Sequence, residues 1–234
     1  MPKTDPTTRR YYDRFDLLFY VAIATLGLLL LVDLDQGRGL AEFLSIVVTM
    51  LTGTMLLLAV SAAGVGRRGH LFAWVAVGST VLGSIALAFS PEEVSAQGGL
   101  LWLLLVVAAP VVALKRLMHH ETVTVNTILG AVSVYLLMAI AGTYLFLFID
   151  TLSLAAGPFF GESQPTTVFA YFSIVTITTL GYGDFSPAEQ VGRSAAAWVA
   201  VIGQIYLVVV VAYIVSVYTS NRPRTGSLSP SDDD

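Results

Sequence analysis

The 234-residue chain contains no cysteine, which excludes disulfide bonds, thiolate metal sites and a cysteine nucleophile. Charge is also scarce, because Asp, Glu, Lys and Arg make up 12% of the residues, against about a quarter in soluble domains. The 12 Lys and Arg are outnumbered by 16 Asp and Glu, so no basic surface is left over for DNA or RNA. These absences exclude an ordinary soluble enzyme and a nucleic-acid-binding protein.

Long apolar runs take the place of charge, and hydrophobic residues make up 56% of the chain. A helix rises 1.5 Å per residue, so about 20 apolar residues cross a hydrocarbon core of about 30 Å. Six runs approach or exceed this length, and the sequence therefore predicts an all-α membrane protein with six transmembrane helices. The predicted spans cover residues 17–32, 43–65, 71–89, 99–114, 122–149 and 195–218.

The distribution of Lys and Arg predicts the orientation of these spans. Ten of the twelve basic residues fall in the N-terminal arm, the second–third loop, the fourth–fifth loop and the C-terminal tail. Basic residues are enriched on the cytoplasmic side of membrane proteins. We therefore expect a multi-pass protein of the plasma membrane with both termini in the cytoplasm.

The connection between the last two spans, residues 150–194, is far longer than the others. Its middle, residues 166–179, is apolar but too short to cross a bilayer. Irregular backbone at membrane depth is tolerated where protein buries it or where it lines a water-filled path. The pattern predicts a re-entrant helix followed by a glycine-rich loop, and the alternative is a folded extracellular loop.

Residues 176–184 read Thr-Ile-Thr-Thr-Leu-Gly-Tyr-Gly-Asp. A K⁺ ion crosses a membrane quickly when rings of backbone carbonyls replace its water shell. Successive carbonyls point inward only if the backbone alternates in hand, which requires glycine where φ is positive. Gly181 and Gly183 have the two-residue spacing that this alternation needs.

The motif resembles the selectivity filter of the potassium channel family, whose usual form is Thr-Val-Gly-Tyr-Gly-Asp. The resemblance covers about residues 122–219, with the aromatic pair, the Pro-Gly-Arg positions 187, 192 and 193, and the inner-helix glycine of the family. It implies a filter of Thr179, Leu180, Gly181, Tyr182 and Gly183. In this filter K⁺ is held by the carbonyls of residues 179–182 and by the Thr179 hydroxyl, with no other cofactor. The implied filter-support residues are Tyr171, Phe172, Thr178 and Asp184.

Two positions depart from the family pattern. Leu180 replaces the usual Val, and its larger side chain is expected to pack against the pore helix. Val175 stands where some bacterial members carry a Glu that bonds to the filter-end Asp. Tyr171 is then the nearest partner for Asp184, and the alternative is that Asp184 faces water.

The resemblance implies a homotetramer with a central pore, because the chain holds a single filter motif and four-fold coordination then needs four chains. By family alignment Gly203 is the hinge of the inner helix, and Val211, Val215 and Thr219 face the pore axis as a gate. Rings of valine can close a pore by dewetting. The alternative is gating by the filter itself.

The resemblance divides the chain into four parts. They are a cytoplasmic arm over residues 1–16, a four-helix transmembrane domain over 17–121, a pore domain over 122–219 and a disordered cytoplasmic tail over 220–234. No cytoplasmic regulatory domain is expected in residues 220–234.

The first four spans occupy the place of a voltage sensor, but the fourth, residues 99–114, contains no charge. Voltage gating needs charges that move through the field. Conventional voltage gating is therefore not expected, and these spans are interpreted as a collar in contact with membrane lipids. His70, His119 and His120 are predicted to be cytoplasmic and to face solvent or headgroups, with pH sensing as the alternative.

The sequence thus predicts a homotetrameric K⁺-selective channel that conducts passively. The alternative is a subunit of a K⁺ transporter, although such chains usually hold four degenerate filter-like loops. An intramembrane enzyme is disfavoured, because no catalytic carboxylate or histidine lies within a predicted span.

Overall fold

The computed structural model describes residues 15–31, 38–62, 78, 96–118, 124–152 and 157–220. Over these residues the fold is all-helical, and five helices coincide with predicted spans while one coincides with the predicted re-entrant segment. They are α1 (Phe15–Leu29), α2 (Arg38–Ala62), α3 (Ala96–Leu117), α4 (Val125–Leu152), α5 (Thr166–Ile177) and α6 (Gln190–Ser220). Outside the described residues lie the three histidines, the predicted third span apart from Gly78, and nearly all of the N-terminal arm and the C-terminal tail.

Two of the described helices are long and apolar enough to cross a bilayer. They are α4 and the stretch Gln190–Val217 of α6, each of 28 residues. At 1.5 Å per residue such a helix is about 42 Å long, which exceeds the hydrocarbon thickness. The described apolar stretches of α1, α2 and α3 are shorter, so six spans stay a prediction.

The centre of the described fold is α4, which packs against α1, α3, α5 and α6. Its residues Val134, Leu137 and Ile140 are fully buried in the main apolar cluster, together with Phe15 of α1. Gly130 lets the Phe15 ring approach, because a Cβ at Gly130 would lie 3.0 Å from that ring. Two buried hydroxyls in these helices, those of Thr52 and Ser133, bond within their own helix.

These buried hydroxyls return to the carbonyl four residues earlier. Thr52 donates to Val48 at 2.8 Å, and Ser133 donates to Leu129 at 2.7 Å. A hydroxyl in an apolar environment costs free energy unless it is hydrogen-bonded, and this bond satisfies it without a second helix. The helices can therefore carry Ser and Thr in contact with apolar surroundings.

A second, aromatic cluster lies at the end of α4 where the chain enters and leaves α5. Its rings stack edge to face or tilted, with centroids 4.8–6.0 Å apart, in the range that aromatic pairs prefer. The Asp150 carboxylate accepts the Phe159 amide at 2.7 Å and so fixes the returning chain. The cluster contains Phe146, Phe159, Phe160, Phe169, Phe172 and Phe185.

Candidate functional site

The site is built on the short helix α5, which begins directly after Pro165 and contains no charged residue. It is held against α4 by the Ser173 hydroxyl, which donates to the Ala139 carbonyl at 2.6 Å. Gly142 allows this approach, because a Cβ there would collide with Oγ of Ser173. A buried polar bond and a missing side chain thus set the distance between α5 and α4.

The loop after α5 is tied to the last turn of the helix by its own backbone. The Leu180 and Gly181 amides both donate to the Val175 carbonyl, at 3.0 and 3.3 Å, and the Thr179 amide donates to Thr176 at 3.0 Å. The Thr178 hydroxyl donates to the Ile174 carbonyl at 2.6 Å. These bonds satisfy carbonyls that a helix C-terminus otherwise leaves without partners.

Positive φ angles recur at every second residue of the loop. They are 60° at Thr179, 54° at Gly181 and 81° at Gly183, whereas Leu180 and Tyr182 have none. Alternation of hand turns successive carbonyl oxygens toward the same side of the strand. Only the two glycines were predicted to have positive φ. Thr179 extends the alternation by two residues toward α5.

Thr179 is the exception that the sequence analysis missed. A β-branched residue with positive φ is a genuine outlier, because Cβ then crowds the following carbonyl. Such strain persists where the surroundings hold it, and it clusters at functional sites. Counting back two residues from Gly181 is the one signal in the sequence that indicates this position.

The side chains of Tyr171 and Asp184, on either side of the loop in sequence, are joined by a hydrogen bond. The Tyr171 hydroxyl donates to Oδ2 of Asp184 at 2.6 Å, which is the pairing expected from the resemblance. This hydrogen bond, together with the nearby carboxylate charge, raises the pKa of Tyr171 to about 12. The neutral phenol is therefore the form present at physiological pH.

The other two predicted support residues point elsewhere. Phe172 is buried in the aromatic cluster, with its ring 5.1 Å from that of Phe146. The Thr178 hydroxyl is bonded back to α5, as described above. Of the four predicted support residues, the Tyr171 and Asp184 side chains are thus the two that meet each other.

Leu180, expected to pack against α5, is 56% exposed in one chain, so the packing stays a prediction. Tyr182 is also exposed, at 68%. More than half of each residue is thus uncovered in one chain.

The predicted gate residues lie along α6. Val211 and Val215 are each 54% exposed, and the Thr219 hydroxyl donates to the Val215 carbonyl at 2.9 Å. Their spacing of four residues keeps them on one face of the helix. In one chain this face is uncovered.

Gly203, the predicted hinge, lies within continuous helix. A Cβ at Gly203 would lie 2.7 Å from the Ile177 carbonyl oxygen, so this glycine allows α6 to cross the end of α5. Gly203 was predicted to be a hinge. Its close approach to Ile177 was not predicted, because it depends on a residue 26 positions away.

A family model described as "Ion channel" matches residues 134–220. The match begins within α4 and takes in α5, the loop with alternating hand, and α6. The match supports the interpretation of this region as part of an ion channel. It also supports passive ion conduction and a membrane location, and an ion channel of this kind is not expected to be an enzyme. A search of the curated proteins and a search of the solved structures found no match.

Proposed function

We propose that the chain is one of four identical subunits of a K⁺-selective channel that conducts passively across the plasma membrane. One observation carries the proposal: the alternation of hand at Thr179, Gly181 and Gly183, in a loop tied to the end of a short apolar helix. Four such strands around an axis supply the rings of oxygen atoms that replace the water shell of K⁺.

The K⁺ ligands in this proposal are the backbone carbonyls of Thr179, Leu180, Gly181 and Tyr182, with the Thr179 hydroxyl at the inner end. K⁺ is here the substrate in transit, and no other cofactor is needed. Carbonyl coordination explains why Leu can stand in place of Val, because the side chain supplies no ligand. Asp184 and Tyr171 brace the outer end of the strand through their 2.6 Å bond.

Exposure of the described surfaces supports a tetramer. In the apolar stretch of α6 22% of the residues are buried, against 50% in α4. The exposed apolar side chains of α6 include Ile202, Ile205, Val208, Val211 and Val215. A ring with cyclic symmetry covers such a face and closes on itself. It also gives Leu180 and Tyr182 the second surface that one chain lacks.

The membrane arrangement proposed for the whole chain has six spans, a re-entrant α5 and both termini in the cytoplasm. Within it, the first four spans form an uncharged collar in contact with lipid. Because the fourth span carries no charge, a membrane potential does no work on it, and conventional voltage gating is absent from the proposal. The proposal keeps two alternative locations for the gate. One is the valine rings at Val211 and Val215 with a hinge at Gly203, and the other is the filter itself.

The test is ion flux into liposomes that contain the purified full-length protein. We expect K⁺ uptake to exceed Na⁺ uptake, and single-channel current steps to separate a channel from a transporter subunit. Gly181→Ala should abolish K⁺ selectivity or conduction, because its φ of 54° opposes a Cβ.

Gly161→Ala is the matched control. Gly161 also has a positive φ, 85°, but lies in the loop before α5 rather than in the filter. It should keep the discrimination between K⁺ and Na⁺. An assembled Gly181→Ala tetramer with unchanged discrimination would remove the proposed filter.

A further inference from the structure

Three helices meet at one carbonyl, that of Ile177, the last residue of α5. The Tyr135 hydroxyl of α4 donates to this oxygen at 3.0 Å. From the other side α6 crosses at Gly203, whose missing Cβ leaves the same oxygen room. The Ile177 side chain is 1% exposed, so the end of α5 is enclosed by its neighbours.

The ring of Tyr135 is itself held by α6. It stacks on Tyr206 with ring centroids 5.8 Å apart and an interplanar angle of 25°. The Tyr206 hydroxyl donates to the Ala131 carbonyl of α4 at 2.6 Å. Gly203 and Tyr206 are three residues apart on α6 and therefore share a face. A shift of α6 at this level must move either the Tyr135 ring or the Ile177 carbonyl.

The bonded carbonyl lies two residues before Thr179, the strained first residue of the loop. The carbonyls of Ile174, Val175 and Thr176 accept amides of the loop, whereas the Ile177 carbonyl is bound by a side chain 42 residues away. Tyr135 thus makes a tertiary bond to a turn that is otherwise held by local backbone bonds. A turn with positive φ at a β-branched residue depends on such outside support.

We propose that the Tyr135 hydroxyl is a positioning group for the ion filter. By holding the Ile177 carbonyl it fixes the position of Thr179, and through its ring contact with Tyr206 it links the position of α6 to ion selectivity. The inference rests on the proposed function, since it concerns the filter proposed above. Tyr135 contacts no ion, and its effect passes through the end of α5.

The test compares Tyr135→Phe with Tyr206→Phe in the full-length protein. Each variant removes one phenol hydroxyl that is bonded to a backbone carbonyl, but only Tyr135 bonds to α5. The free-energy cost of leaving an enclosed carbonyl without its hydrogen-bond partner is large enough to change an equilibrium by about fivefold or more. We expect Tyr135→Phe to lower the K⁺/Na⁺ flux ratio by about fivefold or more. Tyr206→Phe keeps the ring that stacks on Tyr135, and it should stay within about twofold of the native ratio.

A second readout separates positioning from general stability. The melting temperature of the tetramer is measured in K⁺ and in Na⁺, and the difference reports ion binding. Tyr135→Phe should reduce this difference, and Tyr206→Phe should keep it. A merely structural bond lowers both melting temperatures equally and leaves the difference unchanged, which would overturn the inference.

The remaining outcomes are also decisive. Equal loss of selectivity in both variants overturns the inference, because the effect then does not depend on α5. If Tyr135→Phe does not assemble, Gly203→Ala approaches the same carbonyl from α6; lost selectivity in its assembled tetramer supports the inference, and native selectivity overturns it. Absence of K⁺ selectivity in the native protein is seen before any variant is compared, and it removes the proposed function together with this inference.

Discussion

The Tyr171 hydroxyl and the Asp184 carboxylate are joined by a 2.6 Å hydrogen bond that spans the whole loop after α5. One partner lies in the middle of the helix and the other lies directly after Gly183. The bond therefore closes the loop at its outer end, while the Val175 carbonyl closes it at its inner end. Substitutions at the two ends are separable tests of the proposed filter.

Tyr171→Phe should weaken the outer end of the loop. The ring keeps its edge contact with Phe185, and only the hydroxyl is lost. We expect K⁺ flux through the liposome-reconstituted protein to decay severalfold faster during sustained conduction, because the outer end of the strand is released. Tyr213→Phe, which loses a hydroxyl bonded to Met118 remote from the loop, is the control and should decay at the native rate. Equal decay in all three proteins contradicts a role for the bond.

The same bond predicts a flat pH response near neutrality. The pKa of Tyr171 is raised from 10 to about 12, chiefly by the hydrogen bond to Asp184. A raised pKa means that the contribution of the bond is complete below pH 10 and is lost as the pH rises through about 12. The flux ratio of native protein to Tyr171→Phe should therefore be constant from about pH 7 to 9. A ratio that falls steadily over this range contradicts the assignment of the neutral phenol.

Gly142→Ala should push α5 away from α4. The new Cβ collides with Oγ of Ser173, and overpacking of this kind typically costs about 1–3 kcal/mol. We expect a lower melting temperature of the assembled protein, measured by thermal unfolding in detergent. Gly27→Ala in α1 is the control, since nothing lies within 4 Å of a Cβ at Gly27.

A double variant tests the cause. Ser173→Ala removes the atom that Gly142→Ala meets, so the double variant should be more stable than the sum of the single effects predicts. A coupling of about 0.5 kcal/mol or more is expected for residues in contact. Strict additivity would show that the collision does not determine the spacing of the helices.

Val215→Asp should raise basal K⁺ flux if the helices of four subunits constrict the pore at this level. A carboxylate hydrates an apolar ring that otherwise closes by dewetting. Val215→Leu is the matched control, because it keeps the position apolar and should leave basal flux low. Native flux in an assembled Val215→Asp tetramer assigns the gate to the filter instead.

The parts of the fold that follow from local sequence could be predicted from it. Apolar length predicted α4, α5 and α6 to within a few residues, and glycine spacing predicted the positive φ of Gly181 and Gly183. A helix or a φ angle of glycine depends mainly on nearby residues. The strain at Thr179 was not predicted, because Thr has no preference for this conformation, and the fixed ends of the loop impose it.

Close approaches between helices were beyond the reach of the sequence. Gly142 reads as an ordinary small residue of an apolar helix, and Gly203 was predicted only as a hinge. Nothing near them in the chain indicates Ser173 or Ile177 as their partners. The exposure of Leu180 was missed for the same reason, since it depends on which surfaces one chain lacks. Such features depend on where two helices cross, which a periodic pattern does not determine.

The pair of hydrogen bonds at the Val175 carbonyl bears on which side chains position 175 can tolerate. A main-chain carbonyl has two lone pairs, and at Val175 the amides of Leu180 and Gly181 use both. Because the attachment is made by backbone alone, it survives replacement of the side chain by any residue that fits the same buried space. A substitution at position 175 that fits this space therefore leaves the loop attached to the end of α5.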